Sequence, residues 1–330
     1  MRNTTRSFRL LGLLTAPMLA HSRAPDPGPP SATVAIVTKD RRERLGDALA
    51  SALEQRGGVE VLVIDDGSRD GTAEMVRERF PNVRLERFTA SAGLVVRRNF
   101  AVRAARAPVV VSIDDDAVFS APDVVAQTLR DFDHPRIAAV AIPYIDMPEG
   151  GRERQRAPED GRCWVAATFR GTAYAVRREE FLALGGFREA IFHQGEEVDF
   201  TLRMLDAGLL VRLGRARPIH HLASADRSLR RMDVYGRRNE ILLCLTRLPY
   251  PGAVVAAVGY ALKGLALGFR LGRPGAMLRG IVMGVGDSVR LRAERRPVSW
   301  RTVALDRRLR RAGSLPVRDV EPWLTVRGMR

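Results

Sequence analysis

The amino-acid sequence predicts an α/β fold: a mostly parallel sheet with helices on both faces, followed by a helical C-terminal extension. Two observations carry that class. Short aliphatic runs at residues 33–38, 61–64 and 109–113 are bounded by turn residues, the pattern of strands buried on both faces. Segments of helical periodicity alternate with them, which implies parallel strands joined by right-handed crossovers. A third observation locates the function. Each run leads into carboxylates: Asp40 after the first, Asp65 and Asp66 after the second, Asp114, Asp115 and Asp116 after the third. Ligands of open parallel sheets bind at that carboxyl edge. The acids are therefore expected to converge on one nucleotide-sized crevice.

Taken in order, the chain opens with Arg2, Arg6 and Arg9 before an apolar stretch at 10–20, superficially the layout of a signal peptide. Pro17 interrupts it, no convincing cleavage site follows, and 24–30 is proline-rich. Residues 1–31 are expected to be a disordered tail. The first strand gives way to a helix with Leu45, Leu49 and Leu53 at four-residue intervals, stopped by Gly57 and Gly58. After the second strand, Asp70-Gly71-Thr72 opens a helix with Met75, Val76 and Phe80 on one face and Pro81 at its end. Residues 83–87 alternate as a half-exposed strand does, and 93–105 read as a third helix. A main domain at 32–250 follows, divided into a nucleotide-binding half (32–118) and an acceptor half (119–250). Residues 251–330 form the helical extension.

At 330 residues the chain can bury a substantial core. Its formal charge of +16 is carried almost wholly by arginine, the only lysines being Lys39 and Lys263. That excess suits anionic partners such as nucleotide phosphates or a phospholipid surface, although a solvated arginine-rich surface gives the same balance. Cys163 and Cys244 are too few and too far apart for a disulfide framework or a zinc site.

Three adjacent carboxylates repel one another unless a cation or an arginine offsets their charge. An oxygen-only cluster of this kind suits Mg²⁺ or Mn²⁺, which share their coordination shell with phosphates. As a set, Asp65-Asp66-Gly67-Ser68-x-Asp70-Gly71-Thr72, Gly93-x4-Arg98-Asn99, Asp114-Asp115-Asp116-Ala117, Gly171-Thr172 and Gly195-Glu196-Glu197-Val198-Asp199 resemble the family 2 glycosyltransferases in order and spacing. The resemblance spans residues 32–247 and implies a GT-A fold, with a Rossmann-like sheet. It implies inverting, metal-dependent transfer of a sugar from a nucleotide-diphospho-sugar to a hydroxyl of a glycan or glycolipid acceptor. Surface polysaccharide or glycolipid synthesis, at the cytoplasmic face of a membrane, is the expected setting.

The same resemblance implies roles. Asp65 accepts a hydrogen bond from the nucleotide base, with Asp66 beside it, and Thr38 and Asp40 enclose base and ribose. Asp114 and Asp115 lie near the ribose, Asp116 and Asp114 hold the metal, and Arg98 pairs with the cluster. His221 of the His-x-x-Ser pattern that ends at Ser224 approaches the metal or diphosphate, His220 having the weaker claim. Glu196 or Glu197 is the general base on the acceptor hydroxyl, a choice the sequence leaves open. Asp199 is the acid expected merely to favour the helix macrodipole. Residues 146–162 are polar, with glycines and prolines, and read as a mobile loop at the site mouth. Trp164 and Phe169 are expected in the core.

Residues 253–271 are apolar except for Lys263 and Arg270. An internal lysine costs about 2.5–3.5 kcal/mol at mid-membrane, so two helices lying in the membrane interface are expected, with their arginines towards anionic headgroups. Packing on the domain or on a second subunit is the alternative. A nucleotidyltransferase would also use clustered aspartates, but residues 39–44 lack its glycine-rich loop. A non-enzymatic nucleic-acid or membrane adaptor conflicts with the acidic set, because those carboxylates repel phosphate; nucleic acid is not an expected partner.

Overall fold

The computed structural model describes residues 30–147, 150–222 and 229–324. The expected tail at 1–31 lies almost wholly outside these residues, as does Ser224. The nucleotide-binding half runs β1 (Ala32–Thr38), α1 (Arg42–Leu53), β2 (Val59–Asp65), α2 (Thr72–Arg79), β3 (Arg84–Arg87), α3 (Leu94–Ala104) and β4 (Val109–Asp114). Next come β5 (Ala117–Phe119), α4 (Val124–Arg130), β6 (Ile137–Ala141), β7 (Tyr144–Asp146), β8 (Arg152–Arg154), β9 (Trp164–Ala166) and β10 (Ala173–Arg177). They are followed by α5 (Arg178–Ala183), α6 (Glu196–Asp206), β11 (Leu210–Leu213), β12 (Ile219–His221) and α7 (Leu229–Arg247). The C-terminal part holds α8 (Gly252–Arg270), α9 (Pro274–Arg290), α10 (Trp300–Ala312), β13 (Leu315–Pro316) and α11 (Val317–Val320).

Nine strands form the main sheet in the order β13-β9-β11-β6-β10-β4-β1-β2-β3. The four N-terminal strands are mutually parallel, as the alternation demands. Thr38 is level with Asp65, and Val37 with Asp114, so the three acidic strand ends leave one edge side by side. Beyond β4 the sheet is mixed: β10 runs antiparallel to both β4 and β6. A small second sheet, β5-β12-β7-β8, carries His221 and Asp146 over that edge.

Side chains alternate across the sheet. Val34, Ile36, Val61 and Val63 pack with Leu45 and Leu49 of α1 and Leu305 and Leu309 of α10 on one face. Ala35, Leu62 and Ile64 pack with Val95 of α3, Phe181 of α5 and Phe200 of α6 on the other. Phe169 is buried as expected and stacks on Tyr174 at 4.4 Å.

Two expectations change. Residues 146–162 are not one open loop, because β8 pairs antiparallel with β7 in the small sheet. The C-terminal extension is not separate either. Helix α10 contributes to the main core, and β13 adds an edge strand beside β9.

Candidate active site

Strand β1 ends at Thr38, whose hydroxyl donates to Asp115 Oδ2 at 2.8 Å. Arg41, three residues on, places Nη1 3.1 Å from Asp115 Oδ1 and 2.7 Å from Asp116 Oδ2. Its guanidinium offsets the repulsion within the Asp triplet. Burial pushes the Asp115 carboxyl up to about 6, with Asp114 and Asp116 adding to the effect against Arg41 and Thr38. Burial acts on Asp116 too, but the hydrogen bond and charge of His221, together with Arg41, hold it at about 2.

His221 comes to the cluster from β12. Its Nε2 lies 3.3 Å from Asp116 Oδ1 and 4.0 Å from Asp114 Oδ2, while Nδ1 meets Asp146 Oδ1 at 2.6 Å. Burial opposes its charge, but the carboxylates of Asp116 and Asp146 raise its pKa to about 9. One ligand atom each from Asp114, Asp116 and His221 lie within 4.8 Å of one another. Two carboxylates and an imidazole whose far nitrogen is fixed by a third carboxylate fit a divalent cation. Protonation of His221 and metal binding compete for the same nitrogen.

Arg98 joins this cluster to the other acidic focus. Fully buried in α3, it donates from Nη2 to Asp114 Oδ1 and the Gly171 carbonyl, both at 2.8 Å, and from Nη1 to Glu196 Oε1 at 3.0 Å. Despite burial, the nearby Tyr174, Asp114 and both glutamates raise its pKa. Glu197 accepts from the Gly171 N–H at 2.9 Å. Burial first, then the Glu196 charge, push the Glu197 carboxyl up to about 7 against the pull of Arg98. Gly171 is required by space, since a Cβ there would lie 2.6 Å from Arg98 Nη1 and 2.7 Å from Glu197 Oε1. The preceding turn holds Gln194 at φ 65°. Asn239 of α7 donates to the His193 and Gln194 carbonyls, both at 2.7 Å, and fixes that strained entry to α6.

Not every expected residue offers an open group. Asp40, exposed and at φ 53°, donates its N–H to Ser68 Oγ and accepts from the Arg69 N–H at 2.7 Å, so it staples two turns together. Asp66 is consumed by Ser91, the Ala92 and Gly93 N–H groups and Arg97 Nε at 2.6 Å. It is a clamp on the start of α3 and not an acceptor open to a donor nucleotide. Asp65 differs: it is fully buried, and its Oδ2 accepts no hydrogen bond, its neighbour being the Arg87 guanidinium at 3.7 Å. His220 pairs with Val118 in the small sheet and contributes nothing to the cluster. Asp199 lies in the first turn of α6, as expected of an acid at a helix start, and is also held by buried ion pairs with Arg203 at 2.9 Å and Arg247 at 2.6 Å.

Sequence reasoning missed Arg41 and Asp146. Arg41 follows directly on the Lys39-Asp40 strand end, a usable signal. Asp146 becomes legible only when β7 is paired beside β12. Arg97, beside Arg98 in α3, is buried, bound to Asp66 and stacked 3.4 Å from the Phe88 ring centroid.

Residues 33–191 match the model of glycosyl transferase family 2. The chain is 25% identical over 244 residues to the O-antigen biosynthesis protein RfbC of Myxococcus xanthus, covering 64% of this chain and 19% of that protein. It is 29% identical over 227 residues to the N-acetylglucosaminyl-diphospho-decaprenol L-rhamnosyltransferase of Mycobacterium tuberculosis, covering 55% of this chain and 72% of that one. The chain thus spans about a fifth of the first relative's length and nearly three quarters of the second's. Among solved structures, the mannosyltransferase PcManGT of Pyrobaculum calidifontis, in complex with GDP-Man and Mn²⁺, superposes with a TM-score of 0.54 at 21% identity. It covers 81% of this chain and 90% of that one. The likeness shows the GT-A fold.

Proposed function

We propose, for a chain whose residues 33–191 form a family 2 glycosyltransferase domain, that it is an inverting, metal-dependent enzyme. It moves a sugar from a nucleotide-diphospho-sugar to a hydroxyl of a glycan or glycolipid in surface polysaccharide synthesis. The reaction takes place at the cytoplasmic face of a membrane. The observation that carries the reading is the position of Arg98, which donates to Asp114, Glu196 and the Gly171 carbonyl while the Gly171 N–H donates to Glu197; His221 lies 3.3 Å from Asp116 and 4.0 Å from Asp114 on the other side. This arrangement sets a cation-binding group and a carboxyl tuned for proton transfer on opposite sides of one arginine.

Each residue has a distinct part. Asp65 accepts a base N–H at Oδ2, which makes no hydrogen bond in the protein and has only the Arg87 guanidinium 3.7 Å away. Thr38, Asp115 and Arg41 shape the ribose side, Arg41 being poised to turn towards phosphate. Asp114, Asp116 and His221 would hold Mg²⁺ or Mn²⁺, with Asp146 fixing the imidazole. A cation held there would offset negative charge on the nucleoside diphosphate leaving group. Glu197 takes the acceptor hydroxyl proton as the new glycosidic bond forms and the nucleoside diphosphate leaves, while Glu196 is held by its ion pair with Arg98. A carboxyl near pKa 7 is matched to that task at neutral pH.

Incubating the protein with a panel of sugar nucleotides and Mn²⁺, and following the anomeric signal by NMR, tests the reading. Release of nucleoside diphosphate with inverted configuration in the product supports it. Retained configuration would remove the single-base mechanism, and no turnover of any donor would remove the enzyme assignment.

A further inference from the structure

Helices α8 and α9 are packed inside out. The residues they bury are Ala253, Ala257, Gly264 and Gly268 of α8 and Gly280, Gly284, Ser288 and one large residue, Met277, of α9. A Cβ at Gly280 would come within 2.5 Å of the Val234 carbonyl oxygen of α7, and one at Gly284 within 2.7 Å of the Arg238 carbonyl oxygen. Only glycine allows so close an approach. The large apolar side chains face outwards instead: Val255 is 71% exposed, Leu262 64%, Phe269 73% and Val282 63%. A helix pair facing water buries such residues and exposes polar ones. Small residues at the helix contacts with bulky apolar ones outside is the arrangement of helices solvated by lipid.

Beside that face, between the starts of α7 and α9, lies a pocket of about 220 Å³ lined by Arg230, Arg231, Val234, Tyr235, Arg279 and Met283. Three arginines and no acid line it, and Arg230 and Arg279 have no carboxylate partner among the described residues. It is smaller than the ~300–1,000 Å³ that encloses a whole small ligand, a size suited to a headgroup. The pocket adjoins the catalytic loop. The Arg231 guanidinium sits 5.3 Å from the Phe192 ring, which packs 5.7 Å from Tyr235. Phe192 in turn touches the Gly93 turn, and His193 next to it feels the charges of both Arg231 and Glu197.

We propose that this pocket binds the phosphate of a membrane-embedded lipid acceptor, with the outer faces of α8 and α9 seated in the bilayer interface. The acceptor is then a saccharide carried on a lipid phosphate. The apolar face fixes the depth of the lipid, the arginines fix its phosphate, and the sugar reaches Glu197 past Phe192. This rests on the glycosyltransferase reading and names the acceptor class for that same site. Arginine is suited to the phosphate because its planar fork pairs with two oxygens at once.

The test is co-sedimentation of the full chain with three kinds of vesicle: phosphatidylcholine alone, phosphatidylcholine with phosphatidylglycerol, and phosphatidylcholine with a polyprenyl phosphate at matched charge. Binding to both anionic vesicles is expected, roughly tenfold tighter for the polyprenyl phosphate. Arg230→Glu/Arg279→Glu should erase that tenfold preference, and Val255→Asp/Val282→Asp should abolish all vesicle binding. Both double variants should keep Mn²⁺-dependent thermal stabilisation by UDP or GDP. Equal binding to the two anionic vesicles, or a preference untouched by the arginine reversals, would overturn the pocket assignment. No vesicle binding, with a dimer in light scattering that Val282→Asp dissociates, would assign the apolar face to a second copy. Loss of nucleotide stabilisation in the unsubstituted protein would instead defeat the glycosyltransferase reading.

Discussion

Replacing Glu197 by Gln removes the proposed base while leaving most of its surroundings intact. The amide oxygen still accepts the Gly171 N–H, which lies 2.9 Å from Oε1. Arg98 keeps Asp114 and Glu196. The donor site should therefore survive, and the loss should fall on kcat. General-base assistance contributes about 10²–10⁴-fold, equivalent to about 3–5 kcal/mol in the barrier. The pH dependence follows from the same group. With the carboxyl at about 7, the active anion is fully formed only above that value. The rate should fall tenfold per pH unit below it, to roughly 1% of the plateau two units down. Steady-state kinetics of Glu197→Gln between pH 5 and 9 measure both effects, with nucleotide affinity from thermal shift as the control. Turnover within threefold of the unsubstituted enzyme, or an acidic limb that survives the substitution unchanged, would refute the assignment.

Gly171→Ala should fold but lose at least tenfold in kcat, because the added methyl displaces both Arg98 and Glu197; overpacking of this kind also costs about 1–3 kcal/mol in urea unfolding. Asp146→Asn frees the His221 imidazole from its charged partner and should weaken Mn²⁺ binding about 10–100-fold by calorimetry. Arg97→Met strands the buried Asp66 carboxylate with only its other donors and should cost about 3 kcal/mol by denaturant titration. Asp66 is held below the ordinary carboxylate range by Ser91, the Ala92 N–H and Arg97, against the opposing effect of burial. Its stabilisation is present above that range and lost as pH falls through the lowered value, so the variant should show a flatter acid limb of stability.

The parallel half of the sheet was legible because its strands carry their own signal. Each is a short aliphatic run ending in acids, and the register places those ends level. The acidic clusters were legible for the same reason. Their division of labour was not. Asp65 and Asp66 are adjacent in sequence and look equivalent, yet one keeps an unsatisfied oxygen and the other is saturated by four donors from the Ser91–Arg97 segment. Glu196 and Glu197 separate only once Arg98 arrives from another helix to claim the first. Asp199 looked like a surface acid because Arg247, its partner, lies far along the chain. Arg237, Arg238 and Asn239 form a polar run in the sequence, but they are buried in α7. Arg238 binds Asp287 of α9 and the Ala190 carbonyl, and Asn239 holds the loop before α6. Long-range pairings decide these roles, and local pattern does not contain them.

The central claim is that Asp114, Asp116 and His221 bind a divalent cation that couples the protein to a nucleoside diphosphate. Thermal unfolding with UDP or GDP, with and without Mn²⁺, in the unsubstituted protein and in Asp116→Asn, tests it most directly. A ligand that prefers the folded state raises stability by mass action, by about 2.7 kcal/mol at a hundredfold excess over its Kd. The account predicts stabilisation by at least one of the two nucleotides that requires Mn²⁺ and disappears in Asp116→Asn. Stabilisation that is identical with EDTA, or that persists undiminished in the variant, would contradict it.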